Sequence, residues 1–267
     1  MNNAMAGHQA VAPSLALLGV EPFRAVLEYA GMKFMDRGAL PEGDGHPVII
    51  FPGLAADRRS LEPLRNCCEA LGYAVYDWEQ GFNTGPKGDI DDWLHNLAEH
   101  VRGVTTLHNR RATLVGWSLG GIYAREIAKL RPSLVRQVVT LGTPFGTGGD
   151  ETNVGWLYRL VSGTAPFIDD KLAERLRTTP SVPTTSIYSR TDGVVSWETC
   201  LIDGDCENDN VENVEVDGSH LGLPWNPQVL RIVADRLAQP EGQWQPLAVE
   251  RAVVMATAAS APLMRAV

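Results

Sequence analysis

The segment Gly116-Trp117-Ser118-Leu119-Gly120-Gly121 places a serine between glycines two positions away on either side. It follows the apolar run Ala112-Thr113-Leu114-Val115 and precedes Ile122 to Ala128, which has helical character. A strand, a sharp turn and a helix in that order hold a serine hydroxyl at the top of a sheet, where it can act as a nucleophile. Close packing around such a turn requires small residues at Gly116 and Gly120. Serine acyl transfer also needs a base for the hydroxyl proton, an acid to orient that base, and N–H donors for the developing oxyanion.

His220 is the only histidine after Ser118, so it is the candidate base; histidines 8, 46, 95, 100 and 108 all precede the serine. Of these, His46 precedes the first strand and is expected to be exposed at the opposite end of the sheet. The candidate acid is Asp192, in Ser-Arg-Thr-Asp-Gly-Val-Val just past a strand. Asp203 and Asp205 lie in an acidic loop that reads as solvated, and Asp217 reads as a turn residue. One oxyanion donor is the backbone N–H of Leu119, after the serine. The second is assigned to Leu54, in the loop Phe51-Pro52-Gly53-Leu54. No step of this chemistry calls for a metal or a cofactor.

These groups need a scaffold, and the pattern supplies one. Strand-like runs at 48–51, 73–78, 112–117, 135–141, 184–189 and 211–216 alternate with helical segments at 57–71, 89–107, 119–130 and 227–237. Continuous apolar strands separated by helices predict a parallel sheet covered on both faces. Residues 14–35 read as a helix, with Leu15, Leu18, Phe23, Val26, Leu27 and Phe34 as its apolar face, within a helical N-terminal segment, 1–45. Residues 147–183 form a long insertion expected to cap the site, and 241–267 form a C-terminal tail. All belong to one domain. Trp78, Phe82, Asn83, Phe145 and Trp197 follow strand ends, where α/β sheets bind ligands. They are candidate substrate contacts, with Trp156, Leu157, Leu160 and Phe167 on the insertion.

The chain has 267 residues, 44% of them hydrophobic, and a formal net charge of −9. That charge argues against a nucleic-acid partner, which needs clustered cations. No apolar run reaches the ~18 residues of a membrane span. The apolar stretch 11–20 has no preceding Lys or Arg and no evident cleavage site, so a cytoplasmic location is expected. Cys200 and Cys206 bracket a short loop they could close as a disulfide, which a cytoplasmic setting disfavours. Self-association into a homo-oligomer is left open.

Together, Gly-Trp-Ser-Leu-Gly-Gly, Thr140-Leu-Gly-Thr-Pro144, Thr191-Asp-Gly-Val-Val195 and Gly218-Ser-His-Leu-Gly222 resemble the motifs of serine esterases and lipases of the α/β-hydrolase superfamily, near the compact bacterial and LCAT-like lipases. The resemblance runs over residues 48 to 237. It implies an α/β-hydrolase fold with a small helical cap and hydrolysis of a small-molecule ester, short to medium acyl chains being favoured. The chain departs from the family in carrying Pro52-Gly53 where His-Gly is common. It also lacks the first two strands of the full family sheet, implying roughly six strands. The same residues would serve acyl transfer to an alcohol, and the same fold can carry a non-catalytic binding protein.

Overall fold

The structure is a computed structural model that describes residues 12–145, 170–202 and 210–247. Its centre is a six-stranded, wholly parallel sheet: β1 (Pro47–Phe51), β2 (Ala74–Asp77), β3 (Ala112–Trp117), β4 (Val135–Leu141), β5 (Thr184–Tyr188) and β6 (Val211–Glu215). Their order across the sheet is β2-β1-β3-β4-β5-β6. Strands β1, β3 and β4, which surround the serine turn, are buried throughout, as expected of strands covered on both faces.

Side-chain alternation divides the core. Val48 and Ile50 of β1, Val115 and Trp117 of β3, and Val139 and Leu141 of β4 point to one face. There they meet α1 (Leu15–Lys33), α2 (Glu62–Ala70) and, after β6, α6 (Pro227–Ala238). Ile49 and Phe51, Leu114, and Val138 point to the other face. That face is covered by α3 (Ile90–His108), α4 (Leu119–Leu130) and part of α5 (Asp170–Arg177). In α3 the buried stripe includes Trp93, Leu94, Leu97, Ala98, Val101 and Val104. Its N-cap Asp89 accepts from the N–H groups of Asp91 and Asp92.

The helix at the N-terminus forms where predicted but is turned over. Leu15, Phe23 and Phe34 are 84%, 66% and 75% exposed, and Leu18, Val26 and Leu27 also face outward. The inward stripe is instead Glu21, Ala25, Glu28 and Met32, one face at helical spacing. Two carboxylates face the protein because loop N–H groups wait there for acceptors. Residues 34–46 continue without a helix.

His46 differs from expectation as well. It is fully buried, with Nε2 2.8 Å from Thr113 Oγ1 and Nδ1 2.5 Å from Asp44. Asp44 in turn binds Arg110 and Arg136. This knot closes the N-terminal end of the sheet, at the opposite end of β3 from the serine turn. Of the insertion 147–183, residues 147–169 lie outside the described residues. The described part packs on the C-terminal half of α4: Leu176 is buried, and Arg175 pairs with Glu126. In the tail, 241–247 has no helix, and the rest lies outside the described residues. Cys200 is buried, with its thiol 3.9 Å from the Ser196 carbonyl, whereas Cys206 lies outside the described residues. Among the described residues, no helix is long and apolar enough to cross a membrane.

Burial pulls the His46 imidazole down to about 4, with the Arg136 charge adding to it against the pull of Asp44. The unfolded chain therefore binds the proton first. The stability from neutral His46 is full above about 6.5 and is lost as the pH falls toward 4. His46→Gln should lose less Tm than the wild type between pH 7 and pH 4 in thermal melts; an equal loss would contradict this assignment.

Candidate active site

Ser118 occupies the turn between β3 and α4 with φ 53° and ψ −122°, a conformation L side chains rarely adopt. Its N–H donates to the Leu141 carbonyl at 2.8 Å, and its carbonyl accepts from Gly121 N–H and Thr143 Oγ1, each at 3.0 Å. The glycines are required by space. A Cβ on Gly116 would stand 2.4 Å from Gly121 Cα, and one on Gly120 would stand 2.2 Å from the Phe51 carbonyl oxygen. Helix α4 thus begins directly at the serine, with the Leu119 N–H in its first turn, where unpaired N–H groups and the helix dipole favour negative charge.

The first loop after β1 lies against this turn. A Cβ on Gly53 would be 3.2 Å from Ser118 Cβ. Asn83 fixes that loop: its Nδ2 donates to the Pro52 carbonyl at 2.8 Å, its N–H donates to Ala56, and its carbonyl accepts from Ala55 N–H. The Asn83 side-chain oxygen accepts from Gly85 N–H. Asn83 is fully buried, so the structure makes it a brace for the loop carrying Leu54.

Asp192 and His220 come from the loops after β5 and β6 and meet at 2.6 Å, Nδ1 to Oδ2. Both are buried. The other Asp192 oxygen accepts from Val194 N–H at 2.8 Å and Val195 N–H at 2.7 Å, which aims Oδ2 at the ring. Gly142, at φ 54°, makes room for the pair: a Cβ there would lie 3.1 Å from His220 Nδ1 and 3.3 Å from Asp192 Oδ2. Trp117 links His220 to the serine turn. Its Nε1 donates to the His220 carbonyl at 3.0 Å, and the two rings lie 5.8 Å apart. Burial pulls the imidazole down, but the Asp192 charge and hydrogen bond, with the Glu21 charge, outweigh it and raise it above the ordinary histidine value.

The remaining candidates separate. Trp78 is core, stacked on Tyr123 and edge-on to Trp93. Phe145 is buried with the Arg125 guanidinium 3.7 Å above its ring. Trp197 lies between Tyr188 and Arg190. Phe82 is exposed after β2. Trp156, Leu157, Leu160 and Phe167, like Asp203 and Asp205, lie outside the described residues. Asp217 is exposed and pairs with Arg24 and Thr191. Sequence reasoning missed Glu21, Glu28, Trp117 and Gly142; of these, Trp117, inside Gly-Trp-Ser-Leu-Gly-Gly, and Gly142, inside Thr-Leu-Gly-Thr-Pro, carried a motif signal.

A family model described as the alpha/beta hydrolase family matches residues 14–263. Among curated proteins, the biotin biosynthesis bifunctional protein BioHC of Teredinibacter turnerae is 28% identical over 109 residues, covering 39% of this chain and 18% of its own length. A pimeloyl-[acyl-carrier protein] methyl ester esterase of Legionella pneumophila (strain Paris) is 24% identical, covering 37% of this chain and 38% of its own. The chain thus spans well under half the length of these relatives. Among solved structures, Aspergillus fumigatus lipase B aligns with a TM-score of 0.60 at 19% identity, over 82% of this chain and 58% of that one. Bacillus licheniformis lipase BlEst2 aligns with a TM-score of 0.54 at 15% identity, over 75% and 95%. At such identities the structures share the fold.

Asn83→Ala would leave the Pro52 carbonyl and Gly85 N–H buried without their partner. It should lower unfolding free energy in urea by about 1–3 kcal/mol. An unchanged midpoint would mean that the loop does not depend on Asn83.

Proposed function

The chain belongs to the alpha/beta hydrolase family, and we propose that it is a serine carboxylic ester hydrolase with Ser118 as nucleophile, His220 as general base and acid, and Asp192 as the group orienting His220. The observation that carries this reading is the buried 2.6 Å contact between His220 Nδ1 and Asp192, reached beside a serine turn that no ordinary loop requires. Asp192 accepts from Nδ1–H and so leaves Nε2 as the proton acceptor. Nε2 takes the Ser118 hydroxyl proton as Oγ bonds to the ester carbonyl carbon. The carbonyl oxygen becomes an oxyanion, held by the N–H groups of Leu119 and Leu54. His220 then protonates the departing alcohol as the ester C–O bond breaks. Water, deprotonated by the same ring, adds to the acyl-serine, and the acid leaves with Ser118 regenerated.

The substrate class we favour is small esters of short to medium acyl chains, with the exposed Phe82 after β2 as a candidate contact. Curated relatives named as methyl ester esterases support an ester substrate. No metal enters the mechanism, so a chelator should leave activity intact.

A hydrolysis profile over p-nitrophenyl esters of increasing chain length tests the reading. Turnover should be highest on short to medium chains and vanish in folded Ser118→Ala. Asp192→Asn should lose roughly 10⁴-fold in kcat, the scale known for an orienting aspartate in a serine triad. Hydrolysis surviving in Ser118→Ala would refute the assignment. Because the base must be neutral to accept a proton, kcat/KM should fall on the acid side, with its midpoint above the ordinary histidine value of about 6.5. A midpoint below that value would contradict the raised His220.

A further inference from the structure

Helix α1 meets the two loops that carry Asp192 and His220 through carboxylates. Glu21 is 1% exposed. Its Oε1 accepts from the N–H of Gly193 at 2.8 Å and of His220 at 3.0 Å, and its Oε2 accepts from Leu221 N–H at 3.0 Å. Gly193 directly follows Asp192. One side chain therefore holds both the loop of the acid and the residue that carries the imidazole. Glu28 lies two turns on and accepts from Ser219 N–H at 2.7 Å. Arg24, between them on the same side, binds Thr191 through its hydroxyl at 2.7 Å and through its carbonyl.

Space confirms how tightly the helix is seated. A Cβ on Gly193 would stand 2.6 Å from the Leu17 carbonyl carbon, and one on Gly222 would stand 1.7 Å from Glu28 Oε2. The helix backbone and its acidic stripe thus occupy the space beside the acid and the base. Apart from Met32, most of its large apolar side chains point away, so packing alone does not explain why the helix sits in this orientation. A buried carboxylate without donors would be strongly disfavoured; three N–H groups from two loops make it favourable and bind the loops to each other.

We propose that Glu21 is a positioning residue for the Asp192–His220 pair, tying the two loops at the separation their hydrogen bond requires and adding a fixed negative charge beside the imidazole. This rests on the roles given above to Ser118, Asp192 and His220. The charges acting on the His220 ring are Asp192 from the β5 loop and Glu21 from α1. Glu28 and Arg24 from α1 engage its neighbours Ser219 and Thr191. In Glu21→Gln the amide would set a donor against Leu221 N–H and remove the charge. In Glu21→Asp the charge stays but is drawn back by one methylene.

The test uses the full chain with three readouts: Tm, kcat and KM on p-nitrophenyl butyrate, and the NMR titration of the His220 imidazole. Glu21→Gln should lower kcat roughly 100-fold, the scale of an ångström-sized misplacement of a reacting group, with KM little changed. It should also move the His220 midpoint downward. Glu21→Asp should keep the midpoint and lose kcat by a smaller factor. A lower Tm with wild-type kcat and midpoint in both variants would overturn the proposal and leave Glu21 as a brace. If Glu21→Gln does not fold, Glu21→Asp decides alone, and wild-type kcat in it overturns the proposal. The NMR midpoint reads the effect of Glu21 on His220 without any turnover. A failure of the serine mechanism, seen as hydrolysis persisting in Ser118→Ala, is therefore distinguishable from a failure of this one.

Discussion

Everything around the site depends on how closely α4 approaches the ends of β1, β3 and β4. The backbone at Ser118 takes a left-handed conformation that costs free energy, of order 1–3 kcal/mol for a non-glycine residue. It persists because its surroundings leave no alternative. Gly116, Gly120 and Gly121 face the backbone of α4, the Phe51 carbonyl and the Thr143 side chain at distances where a Cβ would clash. Hydrogen bonds from Ser118 N–H to Leu141 and from Thr143 to the Ser118 carbonyl lock the turn to β4. Strain is thus stored at one residue and offset by packing and bonding in three neighbouring strands.

From that fixed point the other groups are reached by short routes. Trp117, one residue before the serine, donates to the His220 carbonyl, and Gly142, one residue after β4, makes room for His220 and Asp192. On the other side, Asn83 holds the loop after β1 against the turn. The site is poor in water-exposed charge and rich in backbone donors. Asp192 and Glu21 are both buried carboxylates whose oxygens accept backbone N–H groups. The His220 imidazole is pulled down by burial, and the charge and hydrogen bond of Asp192, with the Glu21 charge, reverse that effect.

Much of this was legible in the sequence, because it rests on local rules. The continuous apolar strands, the Gly-x-Ser-x-Gly turn, and a lone histidine and a placed aspartate after it each have a steric or chemical reason that short stretches display. The parts that were not legible depend on partners distant in the chain. The inward face of α1 was present as periodicity, with Glu21, Ala25, Glu28 and Met32 at helical spacing. A reading based on hydrophobicity selects the opposite face, because nothing near residue 21 announces that N–H groups near 193 and 220 need acceptors. His46 was misread for the same reason, since its partner Thr113 lies far along the chain, as does Arg136, which binds its other partner Asp44. Trp78, Phe145 and Trp197 sit at strand ends as expected. Stacking on Tyr123, Arg125 and Tyr188 took them into other contacts, which position along a strand cannot foretell.

The central claim is that Ser118 is an activated nucleophile, and covalent capture tests it most directly. The folded wild-type protein would be treated with a fluorophosphonate probe and digested, and the modified residue located by mass spectrometry. A single phosphonylated serine at position 118, formed more slowly after His220→Ala, is the predicted result. Modification at another serine, or no modification of protein shown to be folded, would contradict the account.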